Sequence, residues 1–538
     1  MWYKNAIIYS LDVETFQDSD GDGIGDFHGL VSRIDYLDSL GVDAVWLQPF
    51  QPTPNRDDGY DIIDFYGVDA RLGTLGDFVE FARALEDRGI RLILDLVVNH
   101  TSDQHPWFQE ACADPSSKYR DYYLWSKEKP AGADTGMVFP GVQETTWTWN
   151  EQAGAYYFHR FYHHQPDLNI DNPMVREEIL RIIGFWLKLG VSGFRVDAAP
   201  FLIELLDDQA PQHDAMFAFL ETMNATLSWQ RGDAILLAEA NVGVEKIDDY
   251  FGDGRRMHMM FNFIVNQALF LALARERSEP LRRALESLPP MHEKSQWAQF
   301  LRGHDELDLG RLADDERQEV FQAFGPEPGM QIYHRGIRRR LAPMLDGDRA
   351  RIEMAHSLMF SLPGTQVIRY GDEIGMGEDL SLNERNALRT PMQWADTANA
   401  GFSSASPDRL IRPVVDEGAF GYRTVNVEAQ LADADSLLNR MQRLIRARTW
   451  TREIGVGAFN NVETDRPNVM AHVCRSGNRL FFAIHNLAAE PCTVRPALAR
   501  EDWKSLREVV ADRQYPAANG ELEVGGYGYR WFRADRAG

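Results

Sequence analysis

Three apolar runs in this chain end in carboxylates: Gly193-Phe194-Arg195-Val196-Asp197, Ile235-Leu236-Leu237-Ala238-Glu239 and Phe300-Leu301-Arg302-Gly303-His304-Asp305. A fourth, Arg91-Leu92-Ile93-Leu94-Asp95, is followed closely by Asn99 and His100. If each run is a strand and all leave the same side of one sheet, Asp197, Glu239 and Asp305 converge. Converging carboxylates repel, so at least one must hold its proton near neutral pH while another stays ionised beside Arg195. One protonated and one ionised carboxyl flanking a bond is the requirement for glycosidic cleavage, with the acid on the leaving oxygen and the nucleophile or base at the anomeric carbon. His100 and His304 are then candidate donors to sugar hydroxyls. Acids after strands also cap the helices that follow, but at three strand ends together that role is a poor explanation.

The elements that must position these groups are legible as short apolar runs bounded by turn residues. Candidate strands are Ala6–Leu11, Ala44–Leu47, Arg91–Leu96, Gly193–Val196, Ala234–Ala238, His258–Asn262, Gln299–Arg302 and Gln366–Arg369. Between them Gly29–Ser39, Leu75–Arg88, Pro173–Leu189 and Arg349–Ser361 have helical periodicity, with Gly89 and Gly190 placed to cap two of them. Alternating helices and wholly apolar strands imply a parallel sheet buried on both faces. Eight such units imply an α/β fold closed into a (β/α)8 TIM barrel, with a doubly wound sheet as the runner-up. In such a barrel the chemistry sits at the C-terminal ends of the strands.

Two regions break the alternation. Residues 101–167 follow the third strand and are rich in aromatics: Trp107, Tyr119, Tyr122, Tyr123, Trp125, Trp147, Trp149, Tyr156, Tyr157 and Phe158. A connection this long must carry its own structure, so it reads as an inserted subdomain over the C-terminal face of the barrel. Its aromatics read first as the core of that subdomain and second as platforms for sugar rings. After the helical stretch Ala434–Arg448, the runs Val469–Cys474, Leu480–Asn486 and Tyr527–Phe532 predict a C-terminal antiparallel β-sandwich domain. The predicted division is a barrel over residues 1–100 and 168–454, an insert over 101–167 and a β domain over 455–538.

Composition narrows the partners. The chain carries 81 acidic against 56 basic side chains, a formal charge of −25. That excess opposes binding to phosphate backbones and anionic membranes, and it leaves a neutral or cationic small molecule as the expected partner. Cys112, Cys474 and Cys492 are scattered and odd in number, as in a reducing compartment. The first residues run straight into a strand-like segment without a secretion signal, and no stretch offers about 18 uninterrupted apolar residues. The expectation is a cytoplasmic protein with no nucleic-acid or membrane partner; homo-oligomerisation is left open.

Taken together, Asp95-Leu-Val-Val-Asn99-His100, Gly193-Phe-Arg-Val-Asp197, Glu239 and His304-Asp305 resemble, in order, the four motifs of the α-amylase superfamily, glycoside hydrolase family thirteen. Gln165-Pro-Asp167-Leu-Asn169 is similar to its fifth. The resemblance spans essentially the whole chain and implies a barrel, an insert after the third strand and a C-terminal β-sandwich. It implies that Asp197 is the nucleophile, Glu239 the general acid/base and Asp305 the transition-state stabiliser. It also implies that Arg195 keeps the nucleophile ionised and that His100 and His304 line the subsite of the reacting ring. Asp58-Gly-Tyr60 is similar to the family segment that closes the non-reducing end of that subsite, with Tyr60 under the ring and Asp58 on its terminal hydroxyls, paired with Arg389.

The loop Asp18-Ser-Asp20-Gly-Asp22-Gly-Ile24-Gly-Asp26 alternates carboxylates with glycines, a spacing of oxygen ligands that suits Ca²⁺. Its twelfth position is Gly29, so it is not an EF-hand. It resembles the short calcium loop of the glucosidase branch of the family, with Asp18, Asp20, Asp22, Asp26 and the Ile24 carbonyl as implied ligands. A second implied site uses Asn99, Asp167, Glu204 and the carbonyls of Phe201 and Leu202.

Further stretches, among them Ala238-Glu239-Ala-Asn241, Tyr370-Gly-Asp-Glu-Ile-Gly-Met-Gly377 and Arg389-Thr-Pro-Met-Gln-Trp394, are most similar to the branch that interconverts maltose and trehalose. Asn241 joins the implied substrate-binding set. The implied reaction is retaining glucosyl transfer on short α-glucosides, isomerising maltose to trehalose through a glucosyl-enzyme. Hydrolysis of short α-glucosides or transfer to another acceptor is the alternative, and a catalytically silent sugar-binding relative is a remote one. Retention requires the two working carboxyls to lie about 5–5.5 Å apart. The chain departs from the family pattern at Gly303, Asp308, Gly310 and Arg369, where the family carries Asn, Thr, Glu and Tyr.

Overall fold

Eight parallel strands close on themselves in sequence order. They are β1 (Ile7–Leu11), β2 (Ala44–Leu47), β3 (Arg91–Leu96), β4 (Gly193–Val196), β5 (Ile235–Ala238), β6 (Met259–Phe261), β7 (Gln296–Phe300) and β8 (Thr365–Arg369). The structure, a computed structural model, describes residues 1–203, 211–517 and 520–535. Alternate strand residues fill the barrel, including Ile8, Trp46, Ile93, Leu237, Phe261 and Val367. The other face of each strand packs against the surrounding helices in one continuous apolar core. Among the described residues no helix is long and apolar enough to cross a membrane.

Most predicted elements stand where the apolar periodicity put them, and two differ for identifiable reasons. The seventh strand begins at Gln296, three residues before the predicted Gln299, and ends at Phe300. Its polar opening looks like a loop in the sequence, but the buried Gln296 amide donates to the carbonyls of Lys4 and Gly455 at 2.8 and 2.7 Å. Fully satisfied, it sits in the sheet at little cost. The predicted helix Gly29–Ser39 is two helices, Phe27–Ser32 and Ile34–Leu40, broken at Arg33. The Arg33 side chain is drawn to Gln17 Oε1 at 2.7 Å and over the Trp394 ring at 4.0 Å.

The insert after β3 holds a three-stranded sheet in the order Trp125–Ser126, Ala155–Phe158, Trp147–Asn150, preceded by the helix Pro106–Ala113. At the C-terminus a five-stranded antiparallel sheet runs Ala458–Asn461, Val469–Ser476, Arg479–Asn486, Tyr529–Asp535, Arg507–Ala511. A two-stranded ribbon, Cys492–Val494 with Leu522–Val524, covers one face of it around Val473, Phe482 and Phe532. The other face lies on the helix Arg349–Ser361, where Trp531 Nε1 donates to Ser357 Oγ at 3.0 Å and His472 Nε2 to the Ser361 carbonyl at 2.8 Å. The β domain thereby braces the helix that leads into β8.

Candidate active site

The working carboxylates are placed by strand register. Asp95 of β3 lies opposite Arg195 of β4, which lies opposite Leu237 of β5, so Asp95 and Arg195 both point into the barrel. Ladder bonding continues past the strand ends: the Asp197 amide donates to the Leu96 carbonyl at 3.2 Å and the Glu239 amide to the Val196 carbonyl at 3.1 Å. Between them Ala198 adopts a left-handed conformation, φ 47° and ψ 40°, which a residue with a Cβ enters at a cost on the order of 1–3 kcal/mol. The turn aims its N–H at Glu239 Oε2, 3.0 Å away.

Arg195 is the hub. Its Nη1 reaches Asp95 Oδ1 at 2.6 Å and also pairs with Asp197 Oδ1, while Nη2 pairs with Glu239 Oε2 at 2.8 Å. The guanidinium is buried over the faces of Trp46 and Tyr60. Trp46 Nε1 holds the other Asp95 oxygen at 2.9 Å.

Around this hub opens a cavity of about 560 Å³ whose walls include Tyr60, His100, Asp197, Glu239, Asn241 and Asp305. Tyr60 stacks on His304, with ring planes 10° apart, and its hydroxyl meets His304 Nε2 at 2.8 Å. His304 Nε2 also lies 3.0 Å from Asp305 Oδ2. His100 Nε2 donates to the Tyr60 carbonyl at 3.0 Å. Beside Asp305, which Arg389 Nη2 reaches at 3.0 Å, Arg389 Nη1 pairs with Asp58 Oδ2 at 2.7 Å, as predicted from sequence, and Arg412 grips the other Asp58 oxygen. Arg412 lies in an irregular segment that no motif marks. Arg385 also escaped the sequence reading: it bridges Asp305 Oδ1 at 2.8 Å and Asp57 Oδ1 at 2.7 Å across the cavity. Its one signal was a spacing of four residues from Arg389.

This surrounding orders the protons. Burial pushes the Glu239 carboxyl up to about 7, with Asp197 and Asp305 adding repulsion against the pull of Arg195. Burial likewise raises Asp197 to about 6, opposed by Arg195. Burial acts on Asp305 too, but His304, Arg385 and Arg389 outweigh it and hold its carboxyl well below the usual range. For Asp58 the balance against burial is tipped the same way by Arg389 and Arg412. Desolvation lowers His304 to about 4, leaving it neutral near pH 7. Near neutrality the site therefore offers one protonated carboxyl, Glu239, facing one ionised carboxyl, Asp197, beside two carboxylates held permanently charged.

Of the aromatics singled out in the insert, Tyr122, Tyr123, Trp147, Tyr157 and Phe158 are buried in its core, Trp125 and Tyr157 pack against Phe108, and Trp149 is exposed. The rings that reach the cavity are Phe139 and Phe161. On the opposite wall Asn241 Nδ2 donates to Asp308 Oδ2 at 3.0 Å, and Asn241 Oδ1 accepts from Arg311 Nε at 2.6 Å. A Cβ on residue 310 would stand 3.0 Å from Asp308 Oδ1 and 3.2 Å from Arg335 Cδ. At Gly303 a Cβ would meet nothing closer than 4.0 Å.

In the Asp18–Asp26 loop, oxygens of Asp18, Asp20 and Asp26 gather within 4.8 Å of one another. Gly23, at φ 101°, lets the chain turn where a Cβ would strike the Arg409 carbonyl. Asp22 Oδ1 instead accepts from the Ile24 amide at 2.8 Å. Of the second ligand set, Asn99 and Asp167 are buried, and a backbone bridge between His100 and Asp167 brings their two segments together. Phe201 and Leu202 form a short 3-10 turn after β4, and Glu204 lies outside the described residues.

Known proteins share this arrangement. The alpha amylase catalytic-domain pattern matches residues 9–324 and 338–457, and a sucrose hydrolase-like C-terminal-domain pattern matches 478–533. The trehalose synthase/amylase TreS of Mycolicibacterium smegmatis is 44% identical over 99% of this chain and 92% of its own. The trehalose synthase of a Pimelobacter species is 39% identical over 99% and 96%. The crystal structure of an alpha-amylase from H. orenii superposes with a TM-score of 0.80 at 26% identity, covering 99% of this chain and all of the other.

Arg195→Met leaves three buried carboxylates facing one another without a countercharge, which costs about 3–5 kcal/mol. Those carboxyls then take up protons in the folded state more readily than in the unfolded one, so stability falls as pH rises through the interval between their ordinary and raised values. Urea denaturation of the variant is expected to show the full loss at pH 8 and a smaller loss at pH 5; equal losses at both would contradict the hub role.

Proposed function

The chain belongs to the α-amylase family, and from that premise we propose that it is a retaining α-glucosyl transferase that isomerises maltose to trehalose. The observation that carries the reading is the Arg195 hub, with an ionised Asp197 and a protonated Glu239 beside it, next to an Asp58 clamped between Arg389 and Arg412. We read that clamp as the closed non-reducing end of the subsite, which accepts a single terminal glucosyl unit. Its acid-rich lining suits a neutral sugar. The relatives named trehalose synthase support the same direction.

The reaction follows from the geometry. Asp197 attacks C1 of the non-reducing glucose while Glu239 protonates the departing oxygen, giving a β-glucosyl-enzyme and free glucose. Asp305, kept ionised by His304, Arg385 and Arg389, accepts hydrogen bonds from ring hydroxyls as positive charge develops at C1. The released glucose turns within the pocket and attacks C1 through its anomeric hydroxyl, with Glu239, now ionised, as the base. Water competes at this step, so transfer depends on retaining the glucose behind the insert and the Asn241–Asp308–Arg311 wall. The three cysteines are unpaired, in keeping with a cytoplasmic location.

The Asp18–Asp26 loop fits a structural Ca²⁺: its donors are all oxygens and its carboxylates are already gathered by backbone amides. Bound there, the ion would neutralise their mutual repulsion and tie the loop after β1 to Ser403 through Asp18.

Incubation with maltose is expected to accumulate trehalose above glucose; glucose alone leaves an α-glucosidase, and no turnover of any α-glucoside leaves a silent relative. Asp197→Ala should remove transfer and hydrolysis together. In kcat/KM the activity should rise with pH as Asp197 ionises through about 6 and fall as Glu239 loses its proton through about 7, a narrow bell that a Glu239→Gln variant lacks. Chelation by EDTA is expected to lower the thermal midpoint of the wild type and leave that of Asp20→Ala unmoved; no shift in the wild type removes the calcium assignment.

A further inference from the structure

Between the helix break at Arg33 and the helix Val427–Ala432 lies a second cavity, of about 680 Å³, which shares no lining residue with the catalytic one. Its walls include Arg33, Trp394, Thr397, Val427, Glu428 and Leu431. Arg33 is fixed by one nitrogen: Nε donates to Gln17 Oε1 at 2.7 Å, and the guanidinium lies over the Trp394 ring at 4.0 Å. Among the described residues its Nη1 and Nη2 have neither a hydrogen bond nor an ion pair. Burial lowers this guanidinium below the ordinary arginine value and no carboxylate raises it, and it stays charged at neutral pH. Glu428, in the first turn of the helix, donates its backbone N–H to the Trp394 carbonyl at 2.9 Å. Its carboxylate, too, has no ion pair or hydrogen bond among the described residues, so a cation and an anion line one cavity without pairing with each other. The wall beside them is apolar, and Leu431 is 50% exposed there. A strained turn props the opposite edge: Asn399 and Ala400 are left-handed, φ 51° and 60°, and the Ala400 carbonyl accepts from the amides of Trp394 and Ala395 at 2.8 and 3.0 Å.

This lining discriminates among small ligands. A simple anion pairs with Arg33 but meets Glu428 and the −25 charge of the chain. A simple amine pairs with Glu428 and is repelled by Arg33. A neutral sugar uses neither charge and sets its hydroxyls against Val427 and Leu431. A zwitterion with an apolar body answers both charges and the apolar wall, and having no net charge it is not opposed by the acidic surface. The volume falls in the range of small-molecule sites, about 300–1,000 Å³.

We propose that this cavity binds a free amino acid with an apolar side chain, its carboxylate on Arg33, its ammonium on Glu428 and its side chain along Val427 and Leu431. Nη1 and Nη2 together present the two parallel N–H bonds that suit a carboxylate, and Nε, engaged by Gln17, holds the fork in place. Trp394, beneath the guanidinium, ends the stretch that begins at Arg389, so occupancy steadies that stretch without entering the catalytic cavity. The site is independent of which α-glucoside reaction the barrel performs.

The test titrates the whole protein with leucine by calorimetry, beside 4-methylpentanoate, which lacks the ammonium, and 3-methylbutylamine, which lacks the carboxylate. The expected result is saturable leucine binding, with each truncated probe weaker by about tenfold or more, as the loss of a charged hydrogen bond implies. Arg33→Gln and Glu428→Gln should each weaken leucine by a similar factor, and saturating maltose should leave its affinity unchanged. If Arg33→Gln does not fold, Ala432→Trp, which fills the cavity from the exposed end of its helix, takes its place and should abolish binding. No leucine binding, equal binding of either truncated probe, wild-type affinity in Glu428→Gln or Ala432→Trp, or displacement of leucine by maltose overturns the proposal.

Discussion

A guanidinium buried at the mouth of a barrel must find its countercharges within a few ångströms, because the medium around it screens little and water cannot reach it. Arg195 finds them in Asp95, Asp197 and Glu239, on three adjacent strands. Each carboxylate needs the arginine as much as the arginine needs them. Barrel closure is what makes this possible: β3, β4 and β5 lie side by side in parallel register, so their C-terminal ends present side chains to a common interior. The left-handed turn at Ala198 belongs to the same construction, since it adds a backbone N–H to Glu239 that no side chain supplies.

The remaining cations act by division of labour. Arg385 and Arg389 hold Asp305 ionised, and Arg389 and Arg412 do the same for Asp58, so the groups that grip the sugar never compete for a proton. Arg195 is shared among three acids and cannot satisfy all of them as anions, and Glu239, raised to about 7 by burial and by the repulsion of Asp197 and Asp305, keeps the proton that the leaving group needs. Behind Asp58, burial raises Glu14 to about 8 against the opposing pull of Arg412, which relieves the crowding of a third acid on that arginine. The insert enters this scheme mechanically as well as sterically: Gln165 donates to Asp57 at 2.9 Å, and Asp57 holds Arg385 in place.

Local patterns made much of this readable in advance. β2, β3 and β4 and the helix Arg349–Ser361 coincide with their predicted spans because unbroken apolar periodicity and good end signals are local properties. β7 was displaced because Gln296 is polar by composition and buried by context, and the helix at residues 27–40 was broken because Arg33 answers to Gln17 and Trp394, far away in sequence. The aromatics of the insert illustrate the same limit. A run of tryptophans and tyrosines advertises apolar surface without saying which ring faces the core and which the cavity, and the two that reach the cavity, Phe139 and Phe161, were not the conspicuous ones.

By itself the sequence determined the barrel, the insert, the β domain and the identities of Asp197, Glu239 and Asp305, because each depends on residue type at a strand end or on a periodicity confined to a few neighbours. Only the tertiary structure decided which arginine serves which carboxylate. Arg385, Arg389 and Arg412 lie 328, 331 and 354 residues from Asp57 and Asp58 or their pairs in the chain. A Coulomb interaction depends on distance in space, and the closing of β8 onto β1 sets those distances.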